Sequence, residues 1–280
     1  MNATYQSAGA TLAFRETGTG LPVVFLHPTP LDGEFWRQLV DDLTGVRAIV
    51  PDLRGHGSSE LGKLPVGGFA AVPDAPVLTM AQLAADILAL LDHLKIPTAL
   101  FVGCSIGGYV LLELWRQAPE RMSGLAFVCS KPQPDVPANL AKRIASIEKS
   151  RSAGSPAALQ AMTELQIKSL TGTTAFELHP EIVTQLNAQM TLTSEALVAV
   201  QAGLALRPDS VPTVATITAP ILAVAGGEDP GCTPAEMQSF NAAPGGCEFH
   251  LLPDAGHFAA YEQPQKVAAL LDEWLRQREI

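Results

Sequence analysis

The chain has 280 residues, of which 47% are hydrophobic and 16% are charged. This length and composition predict one large domain, or a domain with a sizeable insertion, and argue against intrinsic disorder. Eighteen Lys and Arg residues against 28 Asp and Glu residues give a formal net charge of −10. Because phosphate backbones and anionic lipid surfaces repel such a chain, we expect neither a nucleic acid nor a membrane as its partner.

The sequence contains no apolar segment long enough to cross a membrane, and residues 1–18 lack the basic and apolar regions of a signal peptide. Its four cysteines show neither a C-x-x-C pattern nor the close spacing of a disulfide framework or a zinc site: Cys104, Cys129, Cys232 and Cys247. We therefore expect a cytoplasmic protein with reduced thiols and no bound metal.

Six short apolar segments predict buried strands. They are Leu21–Leu26, Arg47–Val50, Thr98–Val102, Gly124–Cys129, Pro220–Ala225 and Cys247–Leu252. Strands that are apolar along nearly their whole length are typical of a parallel sheet with helices on both faces. About fifteen residues at the start of the chain predict an antiparallel hairpin at one edge of this sheet, which would bring it to eight strands.

Amphipathic segments between these strands predict helices. One follows the N-cap candidate Thr79 and runs to Lys95, a second follows Ser105 and runs to about Gln117, and a third begins at Pro264. Alternating strands and helices favour an α/β fold with a doubly wound, mostly parallel sheet.

The alternation is interrupted between residues 132 and 212, where helical patterns occur without a convincing strand. A helical insertion of this kind usually lies over the carboxyl ends of the strands, where ligands bind. The sequence therefore predicts a helical lid at 132–212 and a core formed by residues 1–131 and 213–280. We expect the long Gly- and Pro-rich segment Gly57–Pro76 to border the same opening.

The strongest chemical signal is the segment Leu100–Tyr109, which contains the pattern Gly103-x-Ser105-x-Gly107. An apolar strand precedes it and an amphipathic helix follows it, as a sharp strand-to-helix turn requires. Such a turn lifts the serine hydroxyl above the sheet at the positive end of the helix. We therefore predict that Ser105 is a nucleophile and that Tyr109, one helical turn further on, belongs to the core.

A serine hydroxyl needs a base, and the base needs a carboxylate that orients it. His257 follows the last strand in a polar turn and is the candidate base. Asp229 follows the preceding strand and is the candidate acid, with its neighbour Glu228 as a rival and Asp254 as a residue of the turn. The resulting chain order of Ser, Asp and His is that of the α/β hydrolases.

Five motifs, taken together and in this order, resemble those of the α/β-hydrolase superfamily. They are His27–Pro30, Asp52–Ser58, Gly103–Gly108, Gly227–Asp229 and Gly256–Phe258. The resemblance implies the superfamily fold, a triad of Ser105, Asp229 and His257, and no cofactor. It is nearest to the branch of small carboxylesterases, lactonases, cofactor-free haloperoxidases and carbon–carbon bond hydrolases. The dehalogenase and epoxide-hydrolase branches carry Asp where this chain has Ser105.

The first motif departs from the family pattern, in which Gly normally stands where this chain has Pro28. Proline has no N–H to donate, but in this family the oxyanion donor is the backbone N–H of the next residue, which corresponds to Thr29. With the N–H of Ile106 it would stabilise the oxyanion, and the Thr29 hydroxyl is a further candidate donor. His27 is expected to be structural.

We therefore predict a serine hydrolase that cleaves a small, mostly apolar carboxylic ester or lactone through an acyl-enzyme. The same triad is also compatible with cleavage of a carbon–carbon bond or with perhydrolysis. The replacement of the family's Gly by Pro28 leaves open a third alternative, a ligand-binding protein without turnover. Six cations of the predicted lid could reach a substrate carboxylate, but their spacing does not select one: Lys142, Arg143, Lys149, Arg151, Lys168 and Arg207.

Overall fold

The computed structural model describes residues 3–277, and the described strands form one eight-stranded sheet. The strands are β1 (Ala3–Ser7), β2 (Ala10–Gly18), β3 (Leu21–Leu26), β4 (Val46–Pro51), β5 (Ala99–Cys104), β6 (Met122–Val128), β7 (Ile221–Gly226) and β8 (Cys247–Leu252). Their order in the sheet is β1-β2-β4-β3-β5-β6-β7-β8. Strands β1 and β2 are antiparallel to their neighbours, whereas β3 to β8 run parallel.

The predicted sheet is confirmed, including the hairpin at its edge. Segments Leu21–Leu26 and Cys247–Leu252 coincide with β3 and β8, and the other four predicted strands agree to within two residues at each end. Strands β5 and β7 are buried along their whole length. Strand β8 is only partly buried because it lies at the edge of the sheet.

The helices cover both faces of the sheet. They are α1 (Arg37–Asp41), α2 (Met80–His93), α3 (Ile106–Gln117), α4 (Pro137–Ser152), α5 (Pro156–Leu170), α6 (Thr173–Leu178), α7 (Ile182–Ala188), α8 (Ser194–Ala205), α9 (Val211–Val214), α10 (Pro234–Met237), α11 (Ala259–Glu262) and α12 (Pro264–Arg276). Short 3-10 helices span Gly33–Trp36, Pro119–Arg121 and Gln238–Ala242.

The three predicted helices are α2, α3 and α12. The Thr79 side chain accepts the N–H of Gln82 and so caps α2 as expected. Helices α2 and α3 pack on one face of the sheet, and α1 and α12 pack on the other, which gives two apolar layers separated by the strands. The outermost residues of the predicted core segments, 1–2 and 278–280, lie outside the described residues.

The chain between β6 and β7 is helical and contains α4 to α9. Apolar side chains on one face of α4, which include Ile144 and Ile147, pack against Val198 and Ala202 of α8. Phe69 and Val72 join the same cluster. The middle of the Gly57–Pro76 segment thus packs against α4 and α8, which bury its apolar side chains. No residue of this segment is among those that line the cavity described below, so the expectation that it borders the opening is wrong.

Arg54 and Asp52 hold the loop after β4 in place. The Arg54 guanidinium, 1% exposed, binds both carboxylate oxygens of Asp86 at 2.8 and 2.6 Å and the carbonyl oxygen of Ser7 at 2.9 Å. Asp52 accepts the backbone N–H of Gly33 at 3.0 Å, together with one from its own loop. These contacts join the edge hairpin, α2 and the loop that carries His56.

Candidate active site

Ser105 occupies the turn between β5 and α3 in a left-handed conformation, with φ of +53°. A residue other than glycine adopts such a conformation only where the surrounding structure enforces it. A Cβ at Gly103 would collide with the backbone of Gly107, and one at Gly107 would collide with the carbonyl oxygen of Leu26. The two glycines of the motif are therefore what allow the tight turn. Ser130 Oγ donates to the carbonyl oxygen of Ser105 at 2.9 Å and braces it.

Cys104 lies beside the nucleophile candidate but faces the interior, and its side chain is fully buried. Burial raises the pKa of its thiol well above the ordinary value. A protonated, inaccessible thiol is a poor nucleophile. Cys104 is therefore a packing residue.

His257 and Asp229 meet at the carboxyl edge of the sheet, on the loops that follow β8 and β7. Nδ1 of His257 lies 2.8 Å from Oδ2 of Asp229, and neither side chain is more than 8% exposed. The other carboxylate oxygen, Oδ1, accepts the backbone N–H groups of Gly231 at 2.7 Å and Cys232 at 3.1 Å. Asp229 is thus held by its own loop and orients the imidazole. The other ring nitrogen of His257, Nε2, remains available for another partner.

Glu228, the rival for this position, faces away from the imidazole. Its carboxylate accepts the hydroxyl of Thr174 at 2.5 Å and the backbone N–H of the same residue at 2.9 Å. These hydrogen bonds lower the pKa of Glu228. Glu228 therefore ties the β7 loop to the start of α6 in the helical insertion.

Glu262, which the sequence reasoning did not single out, holds the loop that carries His257. Its carboxylate accepts the backbone N–H of Gly256 at 2.6 Å, that of Phe258 at 3.2 Å and that of Gly172 at 3.3 Å. Burial raises its pKa, while these hydrogen bonds oppose the rise. In addition, the backbone N–H of His257 donates to the carbonyl oxygen of Leu170 at 2.9 Å. The link between α5 and α6 thus contacts the loops of both Asp229 and His257.

The sequence gives little sign of this role of Glu262. The residue ends the short helix α11 and looks like any other Glu near the start of an amphipathic helix. Only the tertiary fold brings two backbone N–H groups of the β8 loop and one from the link between α5 and α6 to a single carboxylate.

The loop after β3 contains Thr29, whose side chain is held by His56. Nδ1 of His56 lies 3.0 Å from the carbonyl oxygen of Arg54, and Nε2 lies 3.1 Å from Thr29 Oγ1. Burial lowers the pKa of His56 to about 3, so the ring is neutral near pH 7. A carbonyl oxygen only accepts, so Nδ1 carries the proton and the Thr29 hydroxyl donates to Nε2. In this arrangement the proton of the Thr29 hydroxyl is engaged with His56, which argues against its use as a further oxyanion donor.

His27 supports the same loop and is structural, as expected. Its Nδ1 lies 3.0 Å from the carbonyl oxygen of Pro28, and its Nε2 accepts the N–H of Leu53 at 2.9 Å. Burial lowers the pKa of His27 to about 4. The two imidazoles, those of His27 and His56, pack edge to face with their centroids 5.0 Å apart.

A cavity of about 660 Å³ lies between these loops and the helical insertion. Ser105, His257 and Thr29 all line it, so the structure brings three of the five predicted site residues to one space. Asp229 lies behind His257, and Ile106 is fully buried as the first residue of α3. The N–H of a first helical residue has no partner within its helix. Pro28, which has no N–H, does not remove the donor that Thr29 would supply.

The far wall of the cavity is more polar than we expected. Tyr109 belongs to the buried core as predicted, but it also lines the cavity, under the guanidinium of Arg207, which lies 4.4 Å from the ring centroid. Asp135 binds Arg207 at 2.8 Å and also forms an ion pair with Arg143. Burial opposes the ionisation of Asp135, but hydrogen bonds from Arg207 and Arg143 outweigh it and lower the pKa. None of the sequence motifs contains this network of charges, so the sequence did not predict it.

Residues 3–277 contain neither a helix suited to span a membrane nor a cluster of metal ligands. No helix in this part of the chain is both long enough and apolar enough to span a membrane. Within the same residues, no three His, Cys, Asp or Glu side chains converge as metal ligands would.

Comparison with known proteins identifies relatives along nearly the whole chain. The 3-oxoadipate enol-lactonase 2 of Acinetobacter baylyi is 30% identical over 223 residues, which cover 76% of this chain and 73% of that protein. The structure of a thermophilic esterase from Thermogutta terrifontis matches with a TM-score of 0.86 at 31% identity, covering 99% of this chain and 98% of that one. An enol-lactonase from Burkholderia xenovorans LB400 matches with a TM-score of 0.84 at 23% identity, covering 98% and 100%, and shows the common fold.

The model of the alpha/beta hydrolase family matches residues 23–270, from β3 into α12. The matched residues include the turn at Ser105 and the loops of Asp229 and His257. The resemblance carried by the five motifs is therefore confirmed, and the chain belongs to the alpha/beta hydrolase family as a hydrolase.

Proposed function

We propose that the protein is a serine hydrolase that cleaves a small carboxylic ester or lactone through an acyl-enzyme. The observation that carries this proposal is the hydrogen bond of 2.8 Å between His257 Nδ1 and Asp229 Oδ2, at a cavity that Ser105 also lines. An imidazole oriented in this way has Nε2 as its basic atom, which is what a serine nucleophile needs.

In the first half of the reaction, Ser105 Oγ attacks the substrate carbonyl carbon while His257 Nε2 takes the hydroxyl proton. Asp229 stabilises the imidazolium that forms. The carbonyl oxygen becomes an oxyanion, and the C–O bond to the leaving group then breaks as His257 returns the proton to the departing oxygen. For a lactone, the leaving hydroxyl stays attached to the acyl group.

In the second half, His257 takes a proton from water, whose oxygen attacks the acyl carbon. Collapse of this second intermediate releases the carboxylic acid and returns the proton to Ser105. The backbone N–H groups of Thr29 and Ile106 are the proposed donors to both oxyanions, each contributing about 3 kcal/mol. The fixed Thr29 side chain supports this assignment, since His56 holds its hydroxyl away from the oxyanion.

We also propose the division of the chain into core segments 1–131 and 213–280 and a lid at 132–212. The contacts of Leu170, Gly172 and Thr174 with the two loops support a lid that is fixed around the link between α5 and α6. Relatives described as an enol-lactonase and an esterase support ester or lactone cleavage at the level of the family.

The experiment is the hydrolysis of p-nitrophenyl acetate and butyrate by the wild type and by Ser105→Ala. We expect kcat to fall by at least ~10³-fold in the variant. Ser152→Ala, an exposed serine of α4, is the matched control and should keep wild-type activity. Labelling of the wild type, but not of Ser105→Ala, by a fluorophosphonate should accompany the loss. Wild-type hydrolysis by Ser105→Ala, or an unlabelled wild type, would refute the proposal.

A further inference from the structure

The cavity is positively charged although the protein is acidic. Its lining contains four cations, Lys131, Lys142, Arg143 and Lys149, against the single carboxylate of Asp135. The whole chain has a formal net charge of −10. An excess of three positive charges in one concave space is therefore a local feature and does not reflect the composition.

Part of this charge is neutralised within the wall. Lys131, 5% exposed, forms an ion pair of 2.6 Å with Glu236, which lies outside the cavity lining. Asp135 is shared between two guanidinium groups, those of Arg143 and Arg207, so that one positive charge of this network is not balanced. Neutral acceptors of the protein complete the network: Arg143 donates to Gln201 Oε1 at 3.0 Å, and Arg207 donates to the carbonyl oxygens of Leu204 and Gln133, each at 3.2 Å.

The remaining two cations belong to α4 and lack an acidic partner. Within residues 3–277, neither Lys142 nor Lys149 takes part in an ion pair, and both are exposed at the cavity. They are seven residues apart, so they lie on one face of the helix. Asn139 and Ser146 lie on the same face and also line the cavity. This face of α4 is thus a stripe of hydrogen-bond donors, whereas the opposite face packs on α8.

We propose that the substrate carries a carboxylate remote from the reacting carbonyl, and that the stripe formed by Asn139, Lys142, Ser146 and Lys149 binds it. The inference rests on the proposed function and specifies its substrate class: a half-ester of a dicarboxylic acid, or a lactone with a carboxylate side chain. It replaces the mostly apolar substrate expected from the sequence. Arg143 lines the same cavity, and its charge adds to the attraction for a carboxylate.

The test compares two esters of the same chain length, p-nitrophenyl hydrogen suberate and its methyl ester, in which one methyl group removes the charge of the remote carboxylate. The wild type should show the higher kcat/KM for the charged ester, through a lower KM. In Lys142→Gln/Lys149→Gln, the ratio of kcat/KM for the charged ester to that for the neutral ester should fall by about tenfold at low ionic strength. Added salt should reduce the difference between the two enzymes, since exposed charges are screened.

The matched control is Lys63→Gln/Lys266→Gln, which changes the net charge of the protein equally at exposed positions outside the cavity lining. This control should keep the wild-type ratio. Equal ratios in the wild type and in Lys142→Gln/Lys149→Gln, or an equal fall in the control, would overturn the inference.

A binding measurement separates this inference from the proposed function. Titration of Ser105→Ala with suberate by calorimetry should show binding that weakens by about tenfold when Lys142 and Lys149 are also replaced by Gln. Suberate binding that does not depend on the two lysines would overturn the inference while leaving the esterase reaction intact. Conversely, lysine-dependent binding together with undiminished hydrolysis by Ser105→Ala would uphold it and refute the proposed nucleophile.

Discussion

The carboxylate of Glu262 accepts the backbone N–H groups on both sides of His257, those of Gly256 and Phe258. It also accepts the N–H of Gly172, in the link between α5 and α6. One half-buried carboxylate therefore fixes the position of the candidate base and attaches it to the helical insertion. The arrangement makes Glu262 a positioning residue, since it acts through the loop and not on the substrate.

We predict that Glu262→Gln lowers kcat by about tenfold or more while changing KM little, because a displaced imidazole loses its alignment with the nucleophile. An amide offers one acceptor oxygen in place of two, so the free energy of unfolding should fall by about 1–3 kcal/mol. Steady-state kinetics and urea unfolding measure the two effects. Glu273→Gln, an exposed Glu of α12, is the control. Lost stability with unchanged kcat would show that Glu262 only stabilises the fold.

Asp229 and Glu228 are adjacent in sequence but differ in their partners, and their amide variants should differ accordingly. Asp229→Asn should lower kcat by at least ~10³-fold, because an amide does not stabilise the imidazolium and permits the wrong tautomer. Glu228→Gln should lower kcat by less than about tenfold, as it loosens only the contact with Thr174. A reversed order of the two effects on ester hydrolysis would contradict the assignment of the acid.

Thr29→Val tests whether the side chain or the backbone of Thr29 acts on the oxyanion. Since the hydroxyl donates to His56, its removal should cost about 1–3 kcal/mol of stability and leave kcat within about threefold of the wild type. A hydroxyl that served as an oxyanion donor would instead cost about 10²–10³ in kcat. Ester kinetics for Thr29→Val beside Thr29→Ser, which retains the hydroxyl, distinguish the two cases.

The buried imidazoles of His27 and His56 predict a loss of stability in acid. Burial holds their folded pKa values at about 4 and about 3, whereas both ionise near 6.5 when the chain is unfolded. Below pH 6.5 the unfolded state therefore binds protons that the native state does not, and the free energy of unfolding falls with decreasing pH. For His27 the loss is complete near pH 4 and amounts to about 3 kcal/mol.

Asp32 acts in the opposite direction, because burial raises its pKa to about 6 and the native state then holds a proton that the unfolded state has released. Urea unfolding between pH 7 and pH 5 should still show net destabilisation in acid, since two imidazoles oppose one carboxyl. NMR titration should find two ring signals that stay neutral down to pH 5, each lost in His27→Gln or His56→Gln. Titration of either ring near pH 6.5 would contradict the prediction.

The sequence by itself was sufficient to predict the sheet and the candidate residues that follow the carboxyl ends of its strands. Strands β3 to β8 are apolar stretches bounded by Pro and Gly, and such local patterns need no knowledge of distant residues. The turn at Ser105 was equally predictable, since a strand, two spaced glycines and a helix are all read from one short segment. The chain order of Ser105, Asp229 and His257 follows from the order of the strands.

Tertiary structure alone decided how charge is arranged around these residues. Whether Asp135 neutralises Arg207, or Glu236 neutralises Lys131, depends on contacts between segments some 70 to 105 residues apart. The same is true of Glu262, which only the fold of the β8 loop places around His257. An ion pair has no local sequence pattern, because Coulomb attraction depends on distance in space and not along the chain. The polarity of the cavity, and with it the class of substrate, therefore emerges only once the helical insertion is packed over the sheet.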